Sequence, residues 1–196
     1  MKDKNIMEKN YKYLGMISVF FVSVLLVSNI ASTKIVNFGK FVFDAGTLLF
    51  PLSYIFGDIL TEVYGYKKSK NVIWLGFFMA LLMSVVFMIV GKLPPAADWG
   101  NQDAYEKILG QAPRIVLASL IAYSCGSFLN SFVLAKMKVW TKGRILWART
   151  IASTLIGELV DSVLFVVIAF GGILPTKTVL FIIISNYVFK TAVEIL

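Results

Sequence analysis

Residues 72–90 read Val-Ile-Trp-Leu-Gly-Phe-Phe-Met-Ala-Leu-Leu-Met-Ser-Val-Val-Phe-Met-Ile-Val, nineteen residues without a single charge. As an α-helix this stretch is about 28 Å long, close to the roughly 30 Å of hydrocarbon in a bilayer. Similar apolar runs recur on either side of it, at 13–33, 47–64, 115–135, 147–170 and from 177 to the end. The whole chain of 196 residues is 58% hydrophobic with a mean hydropathy of +0.80. One domain of that size cannot hide so much apolar surface from water. The pattern predicts an all-α membrane protein of about six transmembrane helices, with residues 1–12 as a basic cytoplasmic leader and 13–196 as one transmembrane domain.

The leader holds Lys2, Lys4, Lys9 and Lys12 and resembles the charged start of a signal peptide. No small-residue cleavage site follows the apolar run, so it reads as a retained helix. The net charge of +8 would suggest nucleic acid in a soluble protein. Here the basic residues gather between apolar segments, which is a topology signal, and no nucleic-acid partner is expected. The leader, Lys67, Lys68 and Lys70, and Lys136, Lys138, Lys142 and Arg144 hold eleven bases, against six in the opposite connections. That asymmetry places both termini in the cytoplasm of a multi-pass protein in the cell membrane. An even number of spans requires the same.

Several function classes drop out. The chain has no His, which removes His-based metal sites and His proton relays. Cys125 stands alone in an apolar run, so there is no disulfide framework. No G-x-x-x-x-G-K-[ST] occurs, so there is no P-loop to hydrolyse ATP. No metal, cofactor or nucleophile–base set is evident, and the chain is not expected to be an enzyme. Of the outer connections, 37–44 alternates aromatic and polar residues around Gly39 and predicts a short hairpin lying at the outer surface. Residues 93–113, with Pro94, Pro95, Trp99, Tyr105 and Pro113, read as a plain extracellular loop or a lid. The last span stops at Glu194-Ile195-Leu196 without a basic end, as if the native chain continued.

Ionisable residues at bilayer depth cost several kcal/mol unless they face a cavity or a partner. The second span carries Asp58 and Glu62, spaced i,i+4 on one helix face. The fifth carries Arg149, then Glu158 and Asp161 at i,i+3, and the sixth carries Lys190 and Glu194 at i,i+4. Seven such charges on three helices point to a polar cavity near the midplane, or else to ion pairs that only hold helices together. Glu62 and Arg149 have matching depths at the cytoplasmic side, which predicts an ion pair closing the inner gate. Two stretches also match: Ser53-Tyr54-Ile55-Phe56-Gly57-Asp58 followed by Glu62, and Ser153-Thr154-Leu155-Ile156-Gly157-Glu158 followed by Asp161. They sit on spans that travel in opposite directions, as a three-plus-three inverted repeat would place them. Asn29, Asn130 and Asn186-Tyr187 are uncharged candidates for the same cavity, each also readable as a helix–helix hydrogen bond. Acids, bases, amides and aromatics together suit a flat polar solute better than a bare ion. A nucleobase-like ring offers faces to stack and an edge to bond, but composition does not select it over an amino acid or a vitamin.

The residues themselves resemble one family. Asn29-Ile30-Ala31 with Lys34, Phe50-Pro51-Leu52-Ser53-Tyr54-Ile55 with Asp58, Glu62, Tyr64 and Gly65, Arg149 with Ser153, Gly157-Glu158 and Asp161, and Tyr187 with Lys190 and Glu194 look like the signature of the queuosine precursor transporters, the vitamin uptake transporter family. The outer segment from Leu93-Pro94-Pro95 to Ala118-Ser119 is similar too. The resemblance implies import of a 7-deazaguanine for tRNA modification: the 7-cyano base, the 7-aminomethyl base or queuine. It further implies that Asp58 and Glu158 include the carboxylate accepting the paired N–H donors of a guanine-type edge, with Tyr54 or Tyr187 stacking and Lys34, Glu62, Arg149 and Glu194 gating or pairing. Members are expected to need only substrate and lipid bilayer, and a homodimer is allowed. The alternative is the substrate-capture subunit of an ATP-driven vitamin importer, which is of similar size and topology and also lacks a P-loop.

Overall fold

The computed structural model describes residues 12–142 and 144–195, apart from the side chains of Tyr54, Asp58 and Ile195. The basic leader, except its last residue, lies outside the described residues. Among them, the order is α1 (Leu14–Ala31), β1 (Ile35–Phe38), β2 (Phe41–Asp44), a 3-10 turn (Ala45–Leu49), α2 (Phe50–Tyr64), α3 (Tyr66–Gly91), α4 (Gln102–Leu109), α5 (Ala112–Trp140), α6 (Leu146–Phe170) and α7 (Thr176–Ile195). Pro51 and Pro113 sit in the first turns of α2 and α5, where a missing N–H costs nothing. Gly65 separates α2 from α3 at φ +84, a conformation that side chains with a Cβ rarely adopt.

Five helical stretches are long and apolar enough to cross a membrane: α1, α3, Gln102–Trp140 containing α5, α6 and α7. The expected span 47–64 differs. Its α-helix has 15 residues, about 22 Å, and is preceded by the 3-10 turn and strand β2 rather than by more helix.

The polarity of the bundle is inverted relative to a water-soluble one. Phe78, Phe128 and Ile184 are exposed, whereas Arg149, Ser153, Glu158, Ser162, Asn186 and Lys190 are buried. Lipid is the solvent that rewards this arrangement. Tyr66, Trp140 and Trp147, at the start of α3, the end of α5 and the start of α6, are all at least 70% exposed. They mark one rim of the bundle as an aromatic belt.

Two apolar clusters hold the helices. Phe21, Leu60 and Val72 tie α1, α2 and α3 together. Ile115, Ala118, Ala122, Phe165, Val166 and Ile182 tie α5, α6 and α7. Helices α5 and α6 cross through glycine. A Cβ on Gly157 would lie 2.9 Å from Asn130 Cβ, and one on Gly126 would lie 3.0 Å from both Asp161 Cβ and the Gly157 carbonyl. Only the absence of side chains lets the two backbones approach this closely. Arg114 donates to the carbonyls of Ile168 and Gly171, satisfying backbone acceptors at the end of α6.

The hairpin corrects one expectation. It forms in antiparallel register, with Ile35 opposite Asp44 and Phe38 opposite Phe41, and Gly39 turns it at φ +62. However, only its turn, residues 37–41, is exposed, and the end of β2 is docked inside the protein. Phe43 and Asp44 are buried, Val42 N donates to Ser185 Oγ at 3.1 Å, and the Phe43 ring meets Phe189 edge-on at 5.6 Å. Ser185 and Asn186 lie about 15 Å along α7 from its start, roughly half the hydrocarbon thickness. Strand backbone is tolerated at such depth when protein covers it, as α7 does here. The alternating pattern correctly specified a hairpin but carried no information about where it docks. Segment 93–113 contains the exposed helix α4, tethered where Gln102 Nε2 donates to the Gly91 carbonyl.

Candidate functional site

The elements converge on a cavity of about 370 Å³, within the range that holds small ligands. Helix α1 supplies Phe21, Leu25, Ser28 and Asn29, and Ser32 follows at its C-terminal end; the turn after β2 supplies Gly46 and Thr47; α2 supplies Phe50, Ser53, Gly57 and Thr61. From the other side come Tyr123, Gly126 and Asn130 of α5, Thr154, Gly157, Glu158, Asp161 and Phe165 of α6, and Lys190 and Glu194 of α7.

The electrostatic centre is Lys190. Its Nζ lies 2.6 Å from Asp161 Oδ2, 4.5 Å from the centroid of Phe50 and 5.9 Å from that of Phe165. A buried ammonium is costly unless paired, and here a carboxylate and two ring faces replace its water. Glu194, one turn further along α7, accepts a hydrogen bond from Thr154 Oγ1 at 3.0 Å.

Asp44 is a second buried acid on the wall, 1% exposed. Oδ1 accepts from Ser32 Oγ at 2.7 Å and Thr47 N at 3.1 Å. Oδ2 accepts from Thr47 Oγ1 at 2.8 Å and Asn186 Nδ2 at 2.7 Å. Four neutral donors saturate this carboxylate and join α1, the 3-10 turn and α7. Gly46 completes the junction, since a Cβ there would fall 2.1 Å from Ser32 Oγ and 2.4 Å from the Ser28 carbonyl.

Of the residues singled out in the sequence, Asn29, Asn130, Glu158, Asp161, Lys190 and Glu194 line one cavity. Asn29 also donates to the Leu25 carbonyl at 2.8 Å. Asn186 is fully buried but sits behind the wall, holding Asp44, and Tyr187 is half-buried away from the lining. The side chains of Tyr54 and Asp58 lie outside the described residues, while their neighbours Ser53 and Gly57 line the cavity. Lys34 is exposed and does not line the cavity; its carbonyl accepts from Ala45 N at 2.8 Å. The expected Glu62–Arg149 pair is not formed: Glu62 is exposed, and Arg149 is buried with Nε and Nη1 lacking a partner among the described residues. Matching depth on two helices did not ensure that the two side chains face each other. Asp44 was missed altogether, because Lys34 and Lys40 just before it made it look like part of a polar outer loop.

A family model described as "Putative vitamin uptake transporter" matches residues 44–196. A Bacillus subtilis protein named "Probable queuosine precursor transporter" is 31% identical over 191 residues, covering 95% of this chain and 82% of its own length. The Escherichia coli "Queuosine precursor transporter" is 28% identical over 162 residues, covering 83% of this chain and 71% of its own. A Haemophilus influenzae relative with the first of these names is 26% identical over 128 residues, covering 64% of this chain and 51% of its own. No solved structure matches.

Proposed function

The chain belongs to the vitamin uptake transporter family, and on that premise we propose that it carries a queuosine precursor, a 7-deazaguanine base, across the membrane. The observation that carries this reading is the convergence of Glu158, Asp161, Lys190 and the rings of Phe50 and Phe165 on one cavity inside an apolar bundle. A planar base stacks on the ring faces. Its guanine-type edge presents two adjacent N–H donors, which Glu158 or Asp58 accepts in a bidentate pair. Lys190 donates to the ring carbonyl without leaving Asp161. Asn130 and Asn29 supply further hydrogen bonds along the wall.

The path of the chain supports the same reading. Strand β2, the 3-10 turn and α2 together make a sixth, broken pass, a device common where transporters build sites at mid-depth. The matched Ser-x-x-x-Gly-acid stretches of α2 and α6 both contribute lining residues, as an inverted repeat requires. Both termini face the cytoplasm, from the eleven-to-six distribution of basic residues. The test is uptake of labelled 7-cyano- and 7-aminomethyl-7-deazaguanine into liposomes holding the purified protein alone. Saturable uptake blocked by unlabelled base supports the proposal, and also shows that no ATPase partner is needed. Absence of binding and uptake for both bases contradicts it.

A further inference from the structure

Arg149 is a buried ion that neither the cavity nor the fold accounts for. It is 6% exposed, Nε and Nη1 have no partner among the described residues, and it does not line the cavity. A guanidinium keeps its charge, and burying it without an acceptor is costly. Long side chains on a helix lean back over the turn N-terminal to their own Cα. Arg149 is the fourth residue of α6, so its guanidinium is directed over the first turn of that helix. That turn lacks an acceptor as well. Ile145 precedes it and offers no side-chain oxygen as a cap, and the turn holds no acid. The first N–H groups of α6 have no intrahelical carbonyl to meet, and they add the positive end of the helix dipole to the guanidinium. Lys142 and Arg144 are exposed on the connection leading into the helix, and no Asp or Glu occurs anywhere from 107 to 157.

The surroundings identify the anion. Trp140 and Trp147 flank the connection, 82% and 70% exposed, and Val139, Ile145 and Leu146 are exposed beside them. Belt aromatics sit at headgroup level, where lipid phosphates also lie. A free phosphate gains nothing from this apolar fringe, whereas a phospholipid covers it with its acyl chains. The distribution of basic residues puts this end of the bundle on the cytoplasmic side, whose leaflet carries anionic lipid. We propose that the connection between α5 and α6 binds the headgroup of an anionic phospholipid. Arg149 and the first turn of α6 hold the phosphate, and Lys142 and Arg144 draw it in. None of these residues lines the cavity, so the site stands whatever solute is transported.

The test is competition for a fluorescent phosphatidylglycerol bound to the purified full chain in uncharged detergent. Unlabelled phosphatidylglycerol is expected to displace it about tenfold better than phosphatidylcholine does. Arg149→Met, and separately the exposed pair Lys142→Gln with Arg144→Gln, should each weaken phosphatidylglycerol about tenfold. Lys67→Gln with Lys70→Gln removes the same charge from the other basic connection, also at exposed positions, and should leave the affinity unchanged. Equal losses from the two pairs overturn the site, because the lipid then answers only to the overall charge of that face. Equal displacement by phosphatidylcholine overturns it as well. So does displacement by inorganic phosphate as effective as that by the lipid, which marks a site for free anions. If Arg149→Met does not fold, the contrast between the two exposed pairs decides the matter alone.

Discussion

Two carboxylates look into the same cavity from different walls, Asp44 fully buried and Asp161 partly open with its side chain 18% exposed. Asp44 accepts four hydrogen bonds from Ser32, Thr47 and Asn186, all neutral donors, and fills its acceptor capacity with its own fold. Asp161 has one ion-pair partner among the described residues, Lys190, whose ammonium also rests on two aromatic rings that line the cavity. A carboxylate on the wall of an apolar bundle therefore has two outcomes. A carboxylate saturated by neutral donors fixes the backbone around it. A carboxylate paired with one cation at the cavity edge leaves a polar surface that a solute can join.

The largest effect that sharpens this contrast is expected at Asp44. Asp44→Ala strands the Asn186 amide, the Thr47 N–H and two hydroxyls in a buried junction, each costing about 1–3 kcal/mol when unpaired. Loss of roughly 3 kcal/mol or more is expected, read as a fall in thermal unfolding temperature of the detergent-purified protein. A variant as stable as the wild type would break the distinction. At the other carboxylate, Asp161→Asn leaves Lys190 without its charge partner, at a cost of about 2 kcal/mol given the partial opening to the cavity. Combining it with Lys190→Met should recover more than about 1 kcal/mol of the summed single losses. Strict additivity there would mean that the ion pair holds nothing. The smallest effect is expected between Glu62 and Arg149. Since no contact joins them, the double alanine variant should equal the sum of the singles within about 0.5 kcal/mol. A coupling above about 1 kcal/mol would restore the gate read from their depths.

The two carboxylates also differ in how legible they were. Asp161, Glu158 and Lys190 interrupt apolar runs, and a charge in such a run has few explanations besides a cavity or a partner. Asp44 gave no such signal, because it follows Lys40 in a short polar connection and its burial depends on a hairpin docking against α7. Hydrophobic length likewise identified five helices, while the sixth segment is divided between strand, 3-10 turn and a 15-residue helix. The matched motifs carry the same lesson. Gly157 touches α5 so closely that a Cβ would sit 2.9 Å from Asn130 Cβ, whereas the nearest atom to a Cβ on Gly57 is in the Phe21 ring at 4.0 Å. One short pattern thus serves as a helix crossing in α6 and as open cavity wall in α2. Sequence spacing shows which residues share a face, and the neighbour that the face meets is decided by the rest of the chain.

The central claim is that substrate is held on the α6–α7 side of the cavity and not by Asp44. It is tested most directly by the affinity of a 7-deazaguanine for purified wild type, Glu158→Gln and Asp44→Asn, each measured at a temperature where the variant is folded. The account predicts a loss of about 2 kcal/mol, roughly 30-fold, for Glu158→Gln, because an amide donor then faces the donors of the base. For Asp44→Asn it predicts a change of less than about threefold, under 1 kcal/mol. Wild-type affinity in Glu158→Gln together with a 30-fold loss in Asp44→Asn would contradict it.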